Sequence, residues 1–147
     1  MSDEKLDAYA KQMEEMIKEE AKTHYNDYIV DLFYDPKNWG KPADDEISVS
    51  ESHKGTCNDT VEFYLKIKNG IIEKANFTTD GCGATVATAS QVTMLIEGKP
   101  LEYAEKLKPK VIDEALGGLP EDHKHCALLT ATTLLKAIQK YKRKTDK

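Results

Sequence analysis

The chain of 147 residues has only three cysteines, and no two of them are close enough in sequence to form a CxxC pair. An odd number of thiols cannot complete a disulfide framework, and structural zinc sites typically use paired ligands at that spacing. The cysteines are therefore candidates for packing, for metal binding or for redox chemistry. They are Cys57, Cys82 and Cys126.

Long apolar runs and an excess of positive charge are also missing. No stretch approaches the roughly 20 apolar residues that a membrane span needs, and the first residues are acidic, unlike those of a signal peptide. The formal net charge of -5 argues against binding that depends on neutralising phosphates. The sequence thus predicts a cytoplasmic protein with no nucleic-acid partner and no membrane partner.

The hydrophobic content of 39% over 147 residues suits one modest core. Apolar residues recur at three-four spacing from Leu6 to Phe33, which predicts one or two helices. Two prolines then end the helical pattern, and a loop is predicted up to about Glu46.

A β-hairpin is the strongest local prediction. Residues 61–68 alternate apolar and polar, Asn69-Gly70 is typical of a tight turn, and residues 71–78 are extended. Residues 47–52 are a candidate third strand. Further helices are predicted over Ala84 to Glu97, Leu101 to Leu107, Lys110 to Leu116 and from near His125 onward. Together these elements predict an α+β fold, with a small three-stranded antiparallel sheet covered by helices on one face and the cysteine-bearing loops at one end.

Each cysteine stands in a setting that suits metal chemistry. Cys57 lies two residues before Asp59, and Cys126 follows His125. Cys82 stands between two glycines at a predicted helix start, where unpaired backbone donors favour a thiolate. Each setting alone is more typical of an ordinary turn or cap than of a ligand site. Together, three thiols, an imidazole and a carboxylate match the ligands of a site for an iron-sulfur cluster, zinc or copper(I).

A second class of function is an enzyme in which Cys82 or Cys126 is the nucleophile and His125 its base. That hypothesis leaves two cysteines without a role. A purely structural zinc site is a third possibility, but the paired ligand spacing typical of such sites is missing.

Five motifs occur in a fixed order along the chain: Asp35-Pro36-Lys37-Asn38-Trp39-Gly40, Cys57-Asn58-Asp59, Thr79-Asp80-Gly81-Cys82-Gly83, Leu95-Ile96-Glu97-Gly98-Lys99 and His125-Cys126. In order and spacing they resemble the motifs of the IscU/NifU-type iron-sulfur cluster assembly scaffolds. The resemblance extends from about Tyr25 to Lys142. It divides the chain into an N-terminal helical extension, residues 1–24, and a scaffold domain, residues 25–147. The extension is expected either to pack on the domain or to serve as a docking or dimerisation arm.

The resemblance implies a scaffold rather than an enzyme, on which iron and sulfide form a labile [2Fe-2S] cluster that is passed to apo-proteins. It implies Cys57, Cys82 and Cys126 as thiolate ligands, with Asp59 or His125 as an exchangeable fourth ligand. Cys126 would also accept persulfide sulfur from a cysteine desulfurase. Zinc is expected to occupy the same site in purified protein.

The implied partners are a cysteine desulfurase and apo-protein acceptors, with a ferredoxin, a frataxin-like protein and a second copy of the chain as further candidates. Tyr25 matches a tyrosine associated in the family with persulfide handling and dimer formation. Only Leu119-Pro120 matches the Leu-Pro-Pro-Val-Lys motif read by a specialised Hsp70 chaperone, which argues against that partner. His123 replaces the lysine of that motif and is a candidate for an additional ligand or proton donor.

One more departure from the family pattern and one alternative function remain. Asn58 replaces a glycine of the family motif, and asparagine tolerates the left-handed backbone that glycine allows. The alternative function is a zinc-binding sulfur acceptor of the SufU type, but that subgroup usually has an insertion before the third cysteine and a lysine where this chain has His125. The chain has neither feature.

Overall fold

The computed structural model describes residues 3–21, 24–55 and 58–145. Its elements follow the predicted order and confirm the α+β class. They are α1 (Asp3–Ala21), α2 (Asp27–Tyr34), β1 (Val49–Lys54), β2 (Thr60–Lys68), β3 (Ile71–Thr79), α3 (Gly83–Ile96), α4 (Leu101–Glu105), α5 (Pro109–Ala115) and α6 (His125–Thr145). Short 3₁₀ turns form at Asp44–Glu46 and Glu121–His123.

The three strands form one antiparallel sheet in the order β1-β2-β3. β2 and β3 are the predicted hairpin, and its turn has φ of 54° at Asn69 and 76° at Gly70. Two consecutive positive φ values are typical of the type I′ turn, whose twist matches that of the strands. Alternate residues of β2, Val61, Phe63 and Leu65, are fully buried. The core therefore lies on one face of the sheet, under α3 and α6.

β1 begins two residues later than predicted and continues two residues further. The Ser48 hydroxyl accepts a hydrogen bond from the Ile67 backbone N–H at 2.8 Å. At this point a side chain therefore takes the place of a backbone carbonyl as the partner of β2. Regular pairing starts at Val49 and runs to Lys54 opposite Thr60.

Helix α3 is buried on most of its sides, and it packs against β3, α2 and α6. It is rich in alanine, serine and threonine, and these small side chains allow close approach of the neighbouring elements. The hydroxyls of Thr88 and Thr93 donate to the carbonyls of Ala84 and Ser90, both at 2.6 Å. These two hydroxyls are thus satisfied within the helix itself.

The loop after α2 is fastened to both α3 and β3. The Lys37 N–H donates to the Ser90 hydroxyl at 2.8 Å, and that hydroxyl donates back to the Lys37 carbonyl at 2.9 Å. On the other side, the Phe77 N–H donates to the Asn38 carbonyl at 3.1 Å, and the Gly40 N–H donates to the Phe77 carbonyl at 2.8 Å. The Pro-x-Asn-x-Gly motif therefore forms a fixed loop beside the sheet.

Helix α1 carries an exposed apolar face. Leu6, Tyr9 and Met16 are each more than half exposed, at 57%, 62% and 60%. The predicted boundary between residues 1–24 and 25–147, and the role of the extension, stay predictions. No helix in the described part of the chain is both long enough and apolar enough to cross a bilayer.

Candidate metal centre

The candidate site lies where the starts of β2, α3 and α6 meet. Asp59 directly precedes β2, Cys82 directly precedes α3, and Cys126 is the second residue of α6. His123 lies in the 3₁₀ turn that leads into α6. Chain segments far apart in sequence thus bring two sulfurs, an imidazole and a carboxylate to one end of the domain, as the sequence predicts for its ligand loops.

Cys82 is the exposed member of the site, and it is the N-cap residue of α3. Hydrogen bonding from Cys126 lowers the pKa of Cys82 to about 4, against the opposing effect of partial burial. The backbone N–H and hydroxyl of Thr85, followed by the N–H of Ala84, lower this pKa further. The start of α3 therefore stabilises Cys82 as a thiolate at neutral pH.

Cys126 is fully buried, in contrast to Cys82. The ligand atoms of Cys82, His123 and Cys126 all lie within 4.8 Å of one another. Two sulfurs and an imidazole nitrogen suit zinc and also iron in an iron-sulfur cluster. This group of three is called the Cys-His-Cys group below.

Tyr25 contacts the Cys-His-Cys group through His123. The Tyr25 hydroxyl lies 2.9 Å from His123 Nε2, and the two rings are tilted with centroids 5.4 Å apart. Burial raises the pKa of Tyr25, and electrostatic interactions with Cys82, Asp122 and Cys126 raise it further. Tyr25 therefore stays a neutral phenol that can both donate and accept a hydrogen bond.

Thr85 connects Asp59 to the two cysteines. Its fully buried hydroxyl donates to Asp59 Oδ2 at 2.8 Å. The same oxygen lies 3.4 Å from Cys126 Sγ and 3.7 Å from Cys82 Sγ. A single hydroxyl thus contacts the carboxylate and both sulfurs.

The other residues predicted for the site have different positions. His125 Nε2 lies 3.8 Å from Cys126 Sγ, and its ring centroid is 6.1 Å from that of His123. Asp59 reaches the cysteines through Thr85, as described above. Cys57 lies outside the described residues. The structure therefore brings Cys82 and Cys126 together with an imidazole, while the ligand roles of all five predicted residues stay predictions.

Glycine and asparagine permit the close packing around the site. A Cβ atom on Gly83 would lie 1.9 Å from the Phe33 ring, and one on Gly81 would lie 2.9 Å from Asp59 Oδ2. Asn58 has a φ of 69°, so this position, where the family motif has glycine, needs a left-handed backbone, and asparagine tolerates it. The predicted sharp turn at Cys82 is therefore also a point of tight side-chain packing.

The sequence motifs give no indication of Thr85. Its position in the first turn of α3, three residues after Cys82, is the only local signal, and its contact with Asp59 spans 26 residues of chain. His123 is recognisable in the sequence only as a departure from a motif.

Comparison with known proteins places these residues in a family context. The family model of the NifU-like N terminal domain matches residues 24–147. The iron-sulfur cluster assembly scaffold protein IscU 1 of Archaeoglobus fulgidus is 40% identical over 123 residues, which cover 84% of this chain and 80% of that protein. The scaffold protein IscU of Aquifex aeolicus is 39% identical over 119 residues, covering 80% of this chain and 75% of that protein.

A solved structure shares the fold. The N-terminal part of a NifU-like protein from Brucella abortus superposes with a TM-score of 0.64 at 19% sequence identity. The match covers 85% of this chain and 99% of the solved chain. The three-stranded sheet and its helices are therefore an arrangement that a known protein also adopts.

Proposed function

The chain belongs to the family of the NifU-like N-terminal domain, and we propose that it is a scaffold on which an iron-sulfur cluster is assembled and from which it is passed on. The observation that carries this proposal is the Cys-His-Cys group, whose ligand atoms lie within 4.8 Å of one another. Thiolates are the usual ligands of iron-sulfur clusters, and histidine replaces them at some irons. The enzyme and the SufU-type alternatives are not favoured by the relatives, which are named as scaffold proteins.

The cluster is cargo, so it must be held and then released. We infer that it is a [2Fe-2S] cluster bound by Cys57, Cys82 and Cys126, with Asp59 or His125 as the exchangeable fourth ligand. The bond from Thr85 to Asp59 supports this role, because it keeps a carboxylate beside the sulfurs. The exposure of Cys82 supports release, since an acceptor can approach the site from that side.

Sulfur is supplied by a cysteine desulfurase in this proposal. The Cys126 thiol attacks the outer sulfur of the persulfide on that enzyme, which forms a persulfide on Cys126 and returns the enzyme's cysteine to a thiol. Cys126 is fully buried. We therefore expect the 3₁₀ turn at Glu121–His123, which leads into α6, to move when the desulfurase docks.

Anaerobic reconstitution tests the scaffold proposal. The full chain is incubated with ferrous iron, cysteine, a cysteine desulfurase and dithiothreitol, a dithiol that reduces the persulfide sulfur to sulfide, and the visible spectrum and the iron-to-sulfide ratio are recorded. We expect a coloured protein with equal amounts of iron and sulfide, which then transfers its cluster to an apo-ferredoxin. Cys82→Ala should lose the cluster, whereas the control Thr88→Val, also within α3, should keep it. A colourless wild-type protein that holds only tightly bound zinc would refute the proposal.

A further inference from the structure

We propose that His123, through its Nδ1 atom, is an imidazole ligand of this site, in addition to the candidate ligands Asp59 and His125. The proposal rests on the scaffold function, because the bound metal or cluster is the same. It is argued from three features of the described residues: the separations within the Cys-His-Cys group, the surroundings of the two His123 nitrogens, and the positions of His123 and His125 relative to the two sulfurs.

The separations are close to those of a loaded site. The ligand atoms of Cys82, His123 and Cys126 lie within 4.8 Å of one another. In a tetrahedral zinc site, with zinc-sulfur bonds of about 2.3 Å and zinc-nitrogen bonds of about 2.0 Å, neighbouring ligand atoms are roughly 3.5 Å apart. The group therefore needs a contraction of only about 1 Å to coordinate Zn²⁺.

The two nitrogens of His123 have contrasting surroundings. Nε2 is hydrogen-bonded to the Tyr25 hydroxyl at 2.9 Å. Nδ1 is buried and has no hydrogen-bond partner among the residues that the structure describes. Native proteins leave few buried polar atoms in that state. A metal ion would provide the missing partner.

The bond to Tyr25 prepares Nδ1 for this role. When Nε2 carries the proton and donates it to the Tyr25 oxygen, Nδ1 has a bare lone pair, which is the form that binds a metal. Metal-bound histidines usually donate their other N–H to an oxygen in this way, and the bond fixes both the tautomer and the ring orientation. Tyr25 is therefore a positioning residue for His123.

The positions relative to the two sulfurs distinguish His123 from His125. A ligand nitrogen of His123 lies within 4.8 Å of both Cys82 Sγ and Cys126 Sγ. His125 Nε2 lies 3.8 Å from Cys126 Sγ, but among the described residues His125 forms no such group with both cysteines. His123 is therefore the imidazole that lies close to both sulfurs.

Zn²⁺ binding to the full chain tests the assignment. Affinity is measured by competition with a chromophoric chelator for the wild type, for His123→Ala, for His125→Ala and for the control His24→Ala, which changes an exposed histidine. We expect His123→Ala to weaken binding by about 100-fold or more, and Tyr25→Phe by about 10-fold, the range for loss of a residue that orients a ligand. His125→Ala should have a smaller effect than His123→Ala, and His24→Ala should have none.

A spectroscopic measurement uses the wild-type protein, so it does not depend on whether a variant folds. Long-range ¹H–¹⁵N correlation spectra distinguish the two ring nitrogens, and Zn²⁺ should shift the Nδ1 resonance of His123 while Nε2 stays protonated. A shift at His125 with His123 unchanged would overturn the assignment. Zn²⁺ binding that depends on Cys82 but not on His123 would also overturn it and would leave the scaffold proposal standing. Absence of any Cys82-dependent binding would overturn both.

Discussion

Replacing Thr85 by valine should destabilise the metal-free protein, because it removes the donor that holds Asp59. The side chain keeps its shape, but the 2.8 Å bond to Asp59 Oδ2 is lost. A hydrogen bond to a charged group contributes about 1.5–3 kcal/mol to the free energy of unfolding. Asp59 is only partly buried, so water replaces some of the lost interaction, and the lower limit of about 1.5 kcal/mol applies. For a chain of this length that corresponds to a decrease in Tm of about 3–6 °C.

Thr88→Val is the matched control for this prediction. Thr88 lies in the same helix and is also fully buried, but its hydroxyl donates to the Ala84 carbonyl, a neutral group within the helix. The Ala84 carbonyl can still accept the α-helical hydrogen bond from the backbone N–H of residue 88. The substitution should therefore lower the free energy of unfolding by about 0.5 kcal/mol at most. Thermal unfolding in the presence of a chelator measures both variants. Equal Tm values for Thr85→Val and Thr88→Val would refute the idea that the bond to Asp59 is a significant interaction.

Three further predictions concern the cysteine pair and the tight turns. The rate of Cys82 alkylation as a function of pH, measured by peptide mass spectrometry on metal-free protein, should show a thiolate with a pKa of about 4. Cys126→Ala should raise the pKa of Cys82 toward its usual value, because it removes the hydrogen bond to the thiolate. The same pH profile in both proteins would contradict the role of Cys126. Asn58→Val should lower the free energy of unfolding by about 1–2 kcal/mol, as expected for a branched residue at a φ of 69°, whereas Asn58→Gly should be nearly neutral in denaturant titrations. Gly83→Ala should lower the free energy of unfolding by about 1–3 kcal/mol, because the new Cβ displaces the Phe33 ring. In a Phe33→Ala background the same substitution should cost less. A Gly83→Ala variant as stable as the wild type would show that the ring moves freely.

Local patterns in the sequence were sufficient to predict most of the fold. The hairpin followed from alternation and from Asn69-Gly70, because both act between neighbouring residues. The start of β1 was misplaced by two residues, because the bond from the Ile67 N–H to the Ser48 hydroxyl depends on a strand that comes later in the chain. The pattern of residues around β1 does not reveal such a contact with a distant residue.

The same distinction holds at the candidate site. Cys82 and Cys126 were recognisable because their motifs are short and local. The bond from Thr85 to Asp59 and the bond from Tyr25 to His123 join residues 26 and 98 positions apart, and neither motif specifies its partner. These contacts depend on the packing of α3 and of the 3₁₀ turn before α6. The side chains that surround the sulfurs therefore had to be found in the folded structure.

The loop after α2 also affects how the protein meets other polypeptides. An open strand edge is a template on which foreign strands can pair and aggregation can begin. Asn38 and Gly40 already bond the backbone of Phe77 on β3, and Gly98 and Lys99 bond the backbone of Ile72 near the other end of that strand. The outer edge of β3 is thus covered at both ends by the protein's own backbone. Strand addition from another polypeptide is thereby hindered at both ends of this edge.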